Sequence, residues 1–155
     1  MRFLSFEIQA EQFGIQLETI KEVIAFPTVT PTPGTPTYFL GFMRLRDQIL
    51  PVIDLRIRLG YVPTLTHDTA VVVCEWNGNS VGLVVDCIHT VVAPDEKDIM
   101  KTPLSADNQG ATLISCVVRS DAGLTLLLDV KGVLNASDED LIRSKSTLNQ
   151  LRHAG

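Results

Sequence analysis

The chain has 155 residues, 45% of them hydrophobic and 20% charged, a balance that fits one domain or two small packed subdomains and excludes disordered, collagen-like and coiled-coil classes. With 13 basic against 18 acidic side chains the formal net charge is −5, so the basic field that a phosphate backbone or an anionic membrane requires is missing. No run approaches about 20 apolar residues, and Met1-Arg2-Phe3-Leu4-Ser5 opens without a secretory pattern, which predicts a cytoplasmic protein.

Leu4, Phe6 and Ile8 alternate with polar positions, and Phe13, Ile15 and Leu17 do the same, so residues 2–17 read as a hairpin of half-buried strands. Leu17, Ile20, Val23 and Ile24 then fall at spacings of three and four around Glu18, Lys21 and Glu22, which predicts a short amphipathic helix. Pro27, Pro31, Pro33 and Pro36 remove amide donors between Phe26 and Thr37, marking an ordered loop or edge segment. Apolar runs at 39–45 and 49–55 flank Arg46-Asp47-Gln48 and predict a second hairpin. Residues 56–69, mostly polar with Gly60 and Pro63, read as a crossing between sheets. The strongest local signal follows: a β-branched run over 70–76, Asn77-Gly78 suited to a type I′ turn, and a return strand over 81–86. Val91 and Val92 extend the β pattern. Residues 113–118 and 124–128 form a further pair around Asp121-Ala122-Gly123. Ser137 and Asp140 resemble an acidic capping box ahead of Leu141, Ile142, Leu148 and Leu151, predicting a C-terminal helix. Nine or ten short strands with two helices suggest two small barrels or a bent sandwich.

Asp54, Asp86 and Asp129 each end a strongly apolar run. Two such carboxylates meeting in a low-dielectric cleft within about 10 Å would support hydrolysis. The simpler expectation is that each accepts a backbone amide where its strand ends, since no Gly-flanked nucleophile or His partner accompanies them. Cys74, Cys87 and Cys116 sit in apolar runs and read as core thiols. His67, His89 and His153 lack a metal-ligand spacing, and no phosphate-cradling glycine loop occurs. No metal or cofactor is therefore expected. Arg44, Arg46, Arg56 and Arg58 cluster in an otherwise acidic chain, as a positive patch for an acidic partner or as solvated side chains over apolar surface.

The run Gly41-Phe42-Met43-Arg44-Leu45-Arg46-Asp47-Gln48-Ile49-Leu50-Pro51-Val52-Ile53-Asp54-Leu55-Arg56 closely resembles the signature of CheW-like domains. The resemblance continues through residues 15–23, 81–86 and 124–134, nearly the whole chain. It implies a mainly β fold of two intertwined five-stranded SH3-like barrels with a short internal helix and a C-terminal helix. The second barrel would span approximately 56–120, and the first would come from the flanking segments. It also implies a non-catalytic adaptor coupling methyl-accepting chemotaxis receptors to a CheA-type histidine kinase, recruited from the cytoplasm to membrane receptor arrays. Carried over by position, the receptor-binding residues would be Ile20, Arg46, Ile88 and Val91. Arg46 is the sharpest of these, because a guanidinium at a turn bonds carboxylates or carbonyls in a fixed fork. Asp47 stands where the family usually has Gly, Arg44 where a neutral polar residue is more usual, and Cys116 at a usual Gly. Those departures admit an alternative within the same fold, a coupling protein of a pilus, biofilm or developmental array.

Overall fold

The computed structural model describes residues 1–101, 113–134, 138 and 140. Among the described residues, eleven strands form two sheets. The first, ordered β8-β1-β2-β11-β10-β9, takes β1 (Phe3–Ile8), β2 (Glu11–Gln16), β8 (Cys87–Val92), β9 (Ile99–Met100), β10 (Ile114–Ser120) and β11 (Gly123–Leu128). The second, ordered β3-β6-β7-β5-β4, takes β3 (Ile20–Ala25), β4 (Phe39–Leu45), β5 (Gln48–Asp54), β6 (Ala70–Trp76) and β7 (Asn79–Val85). The fold is thus mainly β, as expected, with six and five strands in place of five and five. The sheet built from one continuous stretch comprises residues 20–85, whereas a 56–120 block had been expected. Strand β3 pairs with β6, β5 pairs with β7 and carries β4 on its other side, while β8 pairs with β1 and β9 with β10. Residues 55–69 therefore return the chain to the same sheet and do not cross between sheets.

Three apolar layers explain why β6 and β7 read as continuous hydrophobic runs. Phe3, Cys116, Val118 and Leu127 fill one side of the six-stranded sheet. Met43, Leu50, Val52, Val71, Val73 and Val84 fill the concave side of the five-stranded sheet. Between the sheets lies the largest cluster, in which Phe6, Ile8, Phe13 and Ile15 meet Ile53, Val72, Cys74, Leu83 and Val85. Strands β6 and β7 are thus buried on both faces, and the alternation that the outer strands β3 and β4 keep disappears from them.

The five-stranded sheet curls until its outer strands approach. The chain leaving β3 pairs with β4 through one bridge, Thr30 to Phe42, whose two backbone hydrogen bonds measure 2.8 and 2.9 Å. The proline-rich segment is, as expected, an ordered loop. Gly41 lets Thr30 come this close: its φ is 138°, and a Cβ there would sit 1.9 Å from the Thr30 carbonyl oxygen.

The helix expected over 17–24 is a 3-10 turn, Leu17–Thr19, followed by β3. A bulge between Ile20 and Glu22 places Ile20 opposite Cys74 and Val23 opposite Val72. Both then face the inter-sheet side at a spacing of three, which imitates helical periodicity. A four-residue helix α1, Leu55–Arg58, follows β5, and α2, Val130–Val133, follows β11. The C-terminal helix expected from Ser137 lies outside the described residues, apart from Asp138 and Asp140, which are helical. No helix among the described residues is long and apolar enough to cross a membrane.

The hairpin predicted at Asn77-Gly78 forms, with φ of 48° and 81°. The same left-handed pair occurs in the β1–β2 turn at Gln9 (48°) and Ala10 (66°), where neither residue suits it. Left-handed backbone costs an L-residue roughly 1–2 kcal/mol. Replacing the pair by Asn-Gly is therefore expected to stabilise the protein by about 1 kcal/mol after the entropy of the added glycine, read as a rise in the urea midpoint. An unchanged midpoint would mean that the turn carries no such strain.

Candidate functional site

Strands β3 and β8 are outer strands of their respective sheets, and the fold sets them beside one another. Val23, Ile24 and Ala25 of β3, His67, Asp68 and Thr69 of the loop before β6, Ala70 at the start of β6, and Cys87 and Ile88 of β8 line an open groove of about 330 Å³. Phe6 of β1 pairs with Ile88, which packs half-buried against the inter-sheet core. Farther along β8, Val91 is 47% exposed, and on β3 Val23 is 41% exposed. The groove thus sets apolar Val23, Ile24 and Ile88 beside polar His67, Asp68 and Thr69, with Val23 partly in water within it and Val91 in water beyond it.

Of the residues expected to meet a receptor, Ile88 lines this groove and Val91 lies three positions beyond it on the same strand. Ile20 does not join them: it begins β3, half-buried against the inter-sheet core, and lines a separate hollow with Met1, Arg2, Gln16, Leu17 and Glu18. Arg46 sits in the β4–β5 turn with 71% of its side chain exposed. Its Nη1 donates to Glu22 Oε2 of β3 at 2.8 Å, so the guanidinium is held against the groove's own strand. The hydrogen bond to Glu22, and then the Glu22 charge, raise the Arg46 pKa above its ordinary value. A pair so open to water adds little to stability, and its effect is to aim the guanidinium. The left-handed φ of this turn falls on Arg46 (56°) and not on Asp47.

Arg56 does not belong to a positive surface patch. It is 4% exposed, and its guanidinium is enclosed by acceptors. Nε and Nη2 donate to the two Asp54 oxygens at 3.0 Å each, and Nη1 donates to Asp86 Oδ1 at 3.0 Å and to the Thr64 carbonyl at 2.8 Å. Burial disfavours its charge, but the hydrogen bonds to Asp54 and Asp86 outweigh that and leave its pKa raised. Asp86 Oδ2 also accepts the Gln9 amide at 2.7 Å. One buried cation therefore ties the end of β5 to the end of β7 and, through Asp86, to the β1–β2 turn. Of the other arginines, Arg44 and Arg46 are exposed, and Arg58 stacks over the Tyr38 ring at 5.4 Å.

The three strand-end aspartates each accept a backbone amide, from Arg56, Gln9 and Lys131 respectively. Asp54 and Asp86 do converge, but on the Arg56 guanidinium that fills the space between them. A carboxylate pair held this way shares a cation and not a proton. Asp129 stands apart as the N-cap of α2.

A family model described as "CheW-like domain" matches residues 2–138. The chain belongs to the CheW-like domain family. Among curated CheW proteins, the chemotaxis protein CheW of Rhizobium meliloti (strain 1021) is 25% identical over 140 residues, covering 88% of this chain and 89% of that one. The chemotaxis protein CheW of Bacillus subtilis (strain 168) is 25% identical over 135 residues, covering 86% of each. The crystal structure of the scaffolding protein TtCheW from Thermoanaerobacter tengcongensis is similar at a TM-score of 0.78 and 25% identity, covering 88% of this chain and 94% of that one. Membership in the CheW-like family supports an adaptor role in chemotaxis.

Sequence reasoning missed Val23 and Glu22 as parts of this site. Their signal was present in the β-branched stretch from Ile20 to Ile24, which favours a strand.

Proposed function

We propose that the chain is a non-catalytic adaptor coupling the cytoplasmic tip of a methyl-accepting chemotaxis receptor to the regulatory domain of a CheA-type histidine kinase. The receptor segment lies along the groove between β3 and β8, and the protein is recruited to receptor arrays through it. What carries this reading is the pairing of the aliphatic Val23 and Ile88 in the groove with a guanidinium held to Glu22 on the same strand, β3. An amphipathic helix fits both, with apolar side chains against Ile88, Val23 and Val91 and a carboxylate or carbonyl against Arg46. Ile20, at the far end of β3, extends the contact. Catalysis has no place in it, since Asp54 and Asp86 are committed to Arg56.

Titration of the receptor tip and of the kinase regulatory domain tests the reading. Arg46→Glu and Val91→Asp are each expected to weaken receptor binding by about tenfold or more while leaving the urea midpoint unchanged, because both side chains face water. Adding Glu22→Arg to Arg46→Glu rebuilds the ion pair with its charges reversed. Binding should stay weak if Arg46 meets the receptor itself. Full binding of the receptor by both single variants would sink the groove as its docking site.

A further inference from the structure

At the edge of the groove, where Cys87 lines it, three side chains of different chemistry meet on the face of the β1–β8 pair turned away from Phe6 and Ile88. Glu7 is the direct cross-strand partner of Cys87, and His89 follows Cys87 by two, so all three project from the same side of the pleat. His89 Nε2 lies 2.9 Å from Glu7 Oε2, Cys87 Sγ lies 3.5 Å from the same oxygen, and Sγ and Nε2 are 3.8 Å apart. We propose that Glu7, Cys87 and His89 bind one divalent transition-metal ion of the zinc class, at a site that borders the groove through Cys87 and whose test does not depend on the adaptor reading.

The argument rests on the shape of the donor triangle. An ion bound tetrahedrally at about 2.0–2.3 Å from oxygen, nitrogen and sulfur sets those donors about 3.3–3.6 Å apart. The three observed separations bracket that range, so an ion sits between the donors with shifts of a few tenths of an ångström. Thiolate, imidazole and carboxylate together suit zinc and its neighbours, and do not suit magnesium or calcium, which take oxygen. Because β8 is an outer strand and His89 is exposed, the fourth tetrahedral position opens to water.

Two other readings of the cluster fit less well. In a catalytic Cys-His-carboxylate relay the imidazole uses one nitrogen for the thiol and the other for the carboxylate, whereas here Nε2 faces both. The local charge also opposes a free thiolate. The carboxylates of Glu7, Asp68 and Asp86 surround the Cys87 thiol. That same negative surrounding attracts a cation. The other two thiols are no competitors, since Cys74 and Cys116 are buried and burial pushes Cys74 up to about 12.

The test is titration of the purified full chain with Co(II), with a phosphine reductant present, followed by displacement with Zn(II). One equivalent of Co(II) should give a thiolate-to-metal charge-transfer band and the intense visible bands of a tetrahedral ion, and Zn(II) should abolish them. Cys87→Ser should remove the charge-transfer band. His89→Ala and Glu7→Gln should each raise the Co(II) Kd by about tenfold or more. All three side chains lie at the surface of the strand pair, and an unchanged urea midpoint without metal verifies the fold. Absence of the charge-transfer band from the native protein would overturn the site. So would a Kd that stays the same in both His89→Ala and Glu7→Gln, because Cys87 would then be binding metal without them.

Discussion

Arg56→Met is expected to destabilise the protein by about 3–5 kcal/mol, the range for breaking a buried ion pair on one side. Methionine fills much the same volume, so the loss is electrostatic. Asp54, 2% exposed, keeps its charge with the guanidinium gone and retains only the Arg56 amide at 3.0 Å. The Thr64 carbonyl loses its donor, and Asp86 loses the cation that fixes it beneath the Gln9 amide. Against a typical domain stability of about 5–15 kcal/mol, this is a large fraction. A double variant separates charge from shape. Asn in place of Asp54 still caps α1 and carries no charge, so Asp54→Asn with Arg56→Met should be more stable than Arg56→Met alone by roughly 1–2 kcal/mol. Urea melts of the native protein and of the two variants check both numbers. A loss below about 1 kcal/mol in Arg56→Met, the size of an exposed pair, would mean that the clamp does not hold the sheets.

Gly41→Ala should cost roughly 2–5 kcal/mol, from a backbone conformation that L-residues avoid together with a collision that no side chain can relieve. The obstructing atoms are backbone: the Thr30 carbonyl oxygen at 1.9 Å, its carbon at 2.7 Å and Pro31 Cα at 2.9 Å. Something must move, and what moves is the bridge between Thr30 and Phe42. Gly78→Ala is the matched comparison, because φ there is 81° but nothing lies within 4 Å of the added carbon. It should cost only about 1 kcal/mol. Amide exchange gives a local readout, in which Thr30 and Phe42 lose protection in Gly41→Ala and keep it in Gly78→Ala. Equal costs for the two substitutions would show that Thr30 is not held against Gly41.

Most strands were legible because local chemistry and tertiary role agree. Asn77-Gly78 satisfies its turn by itself, and Ala70–Trp76 is β-branched wherever it packs. The stretch after Leu17 was misread for a specific reason: the bulge at Lys21 turns a strand's period of two into an apparent three. The four-residue helix α1 escaped because it makes barely one turn of 3.6 residues, too short for a helical spacing to repeat. Arg56 was assigned to the surface on its charge, and its burial depends on Asp86, thirty positions away. Likewise the Cys87-His89 spacing of two places both side chains on one face of a strand, which a sequence can reveal, but Glu7 joins them only through the pairing of β1 with β8. For the groove, Arg46 and Ile88 were named by family position, whereas Val23 and Glu22 emerge only once β3 is seen as a strand.

The six-stranded sheet has a consequence for how the polypeptide is made. Strand β2 pairs in parallel with β11, so one of its neighbours leaves the ribosome roughly a hundred residues after it, about 5–20 s later at ordinary translation speeds. The five-stranded sheet, drawn from residues 20–85, has all its partners by then. Vectorial synthesis therefore favours completing the middle of the chain first, while the early hairpin waits with an open flank that a nascent-chain chaperone is suited to shield.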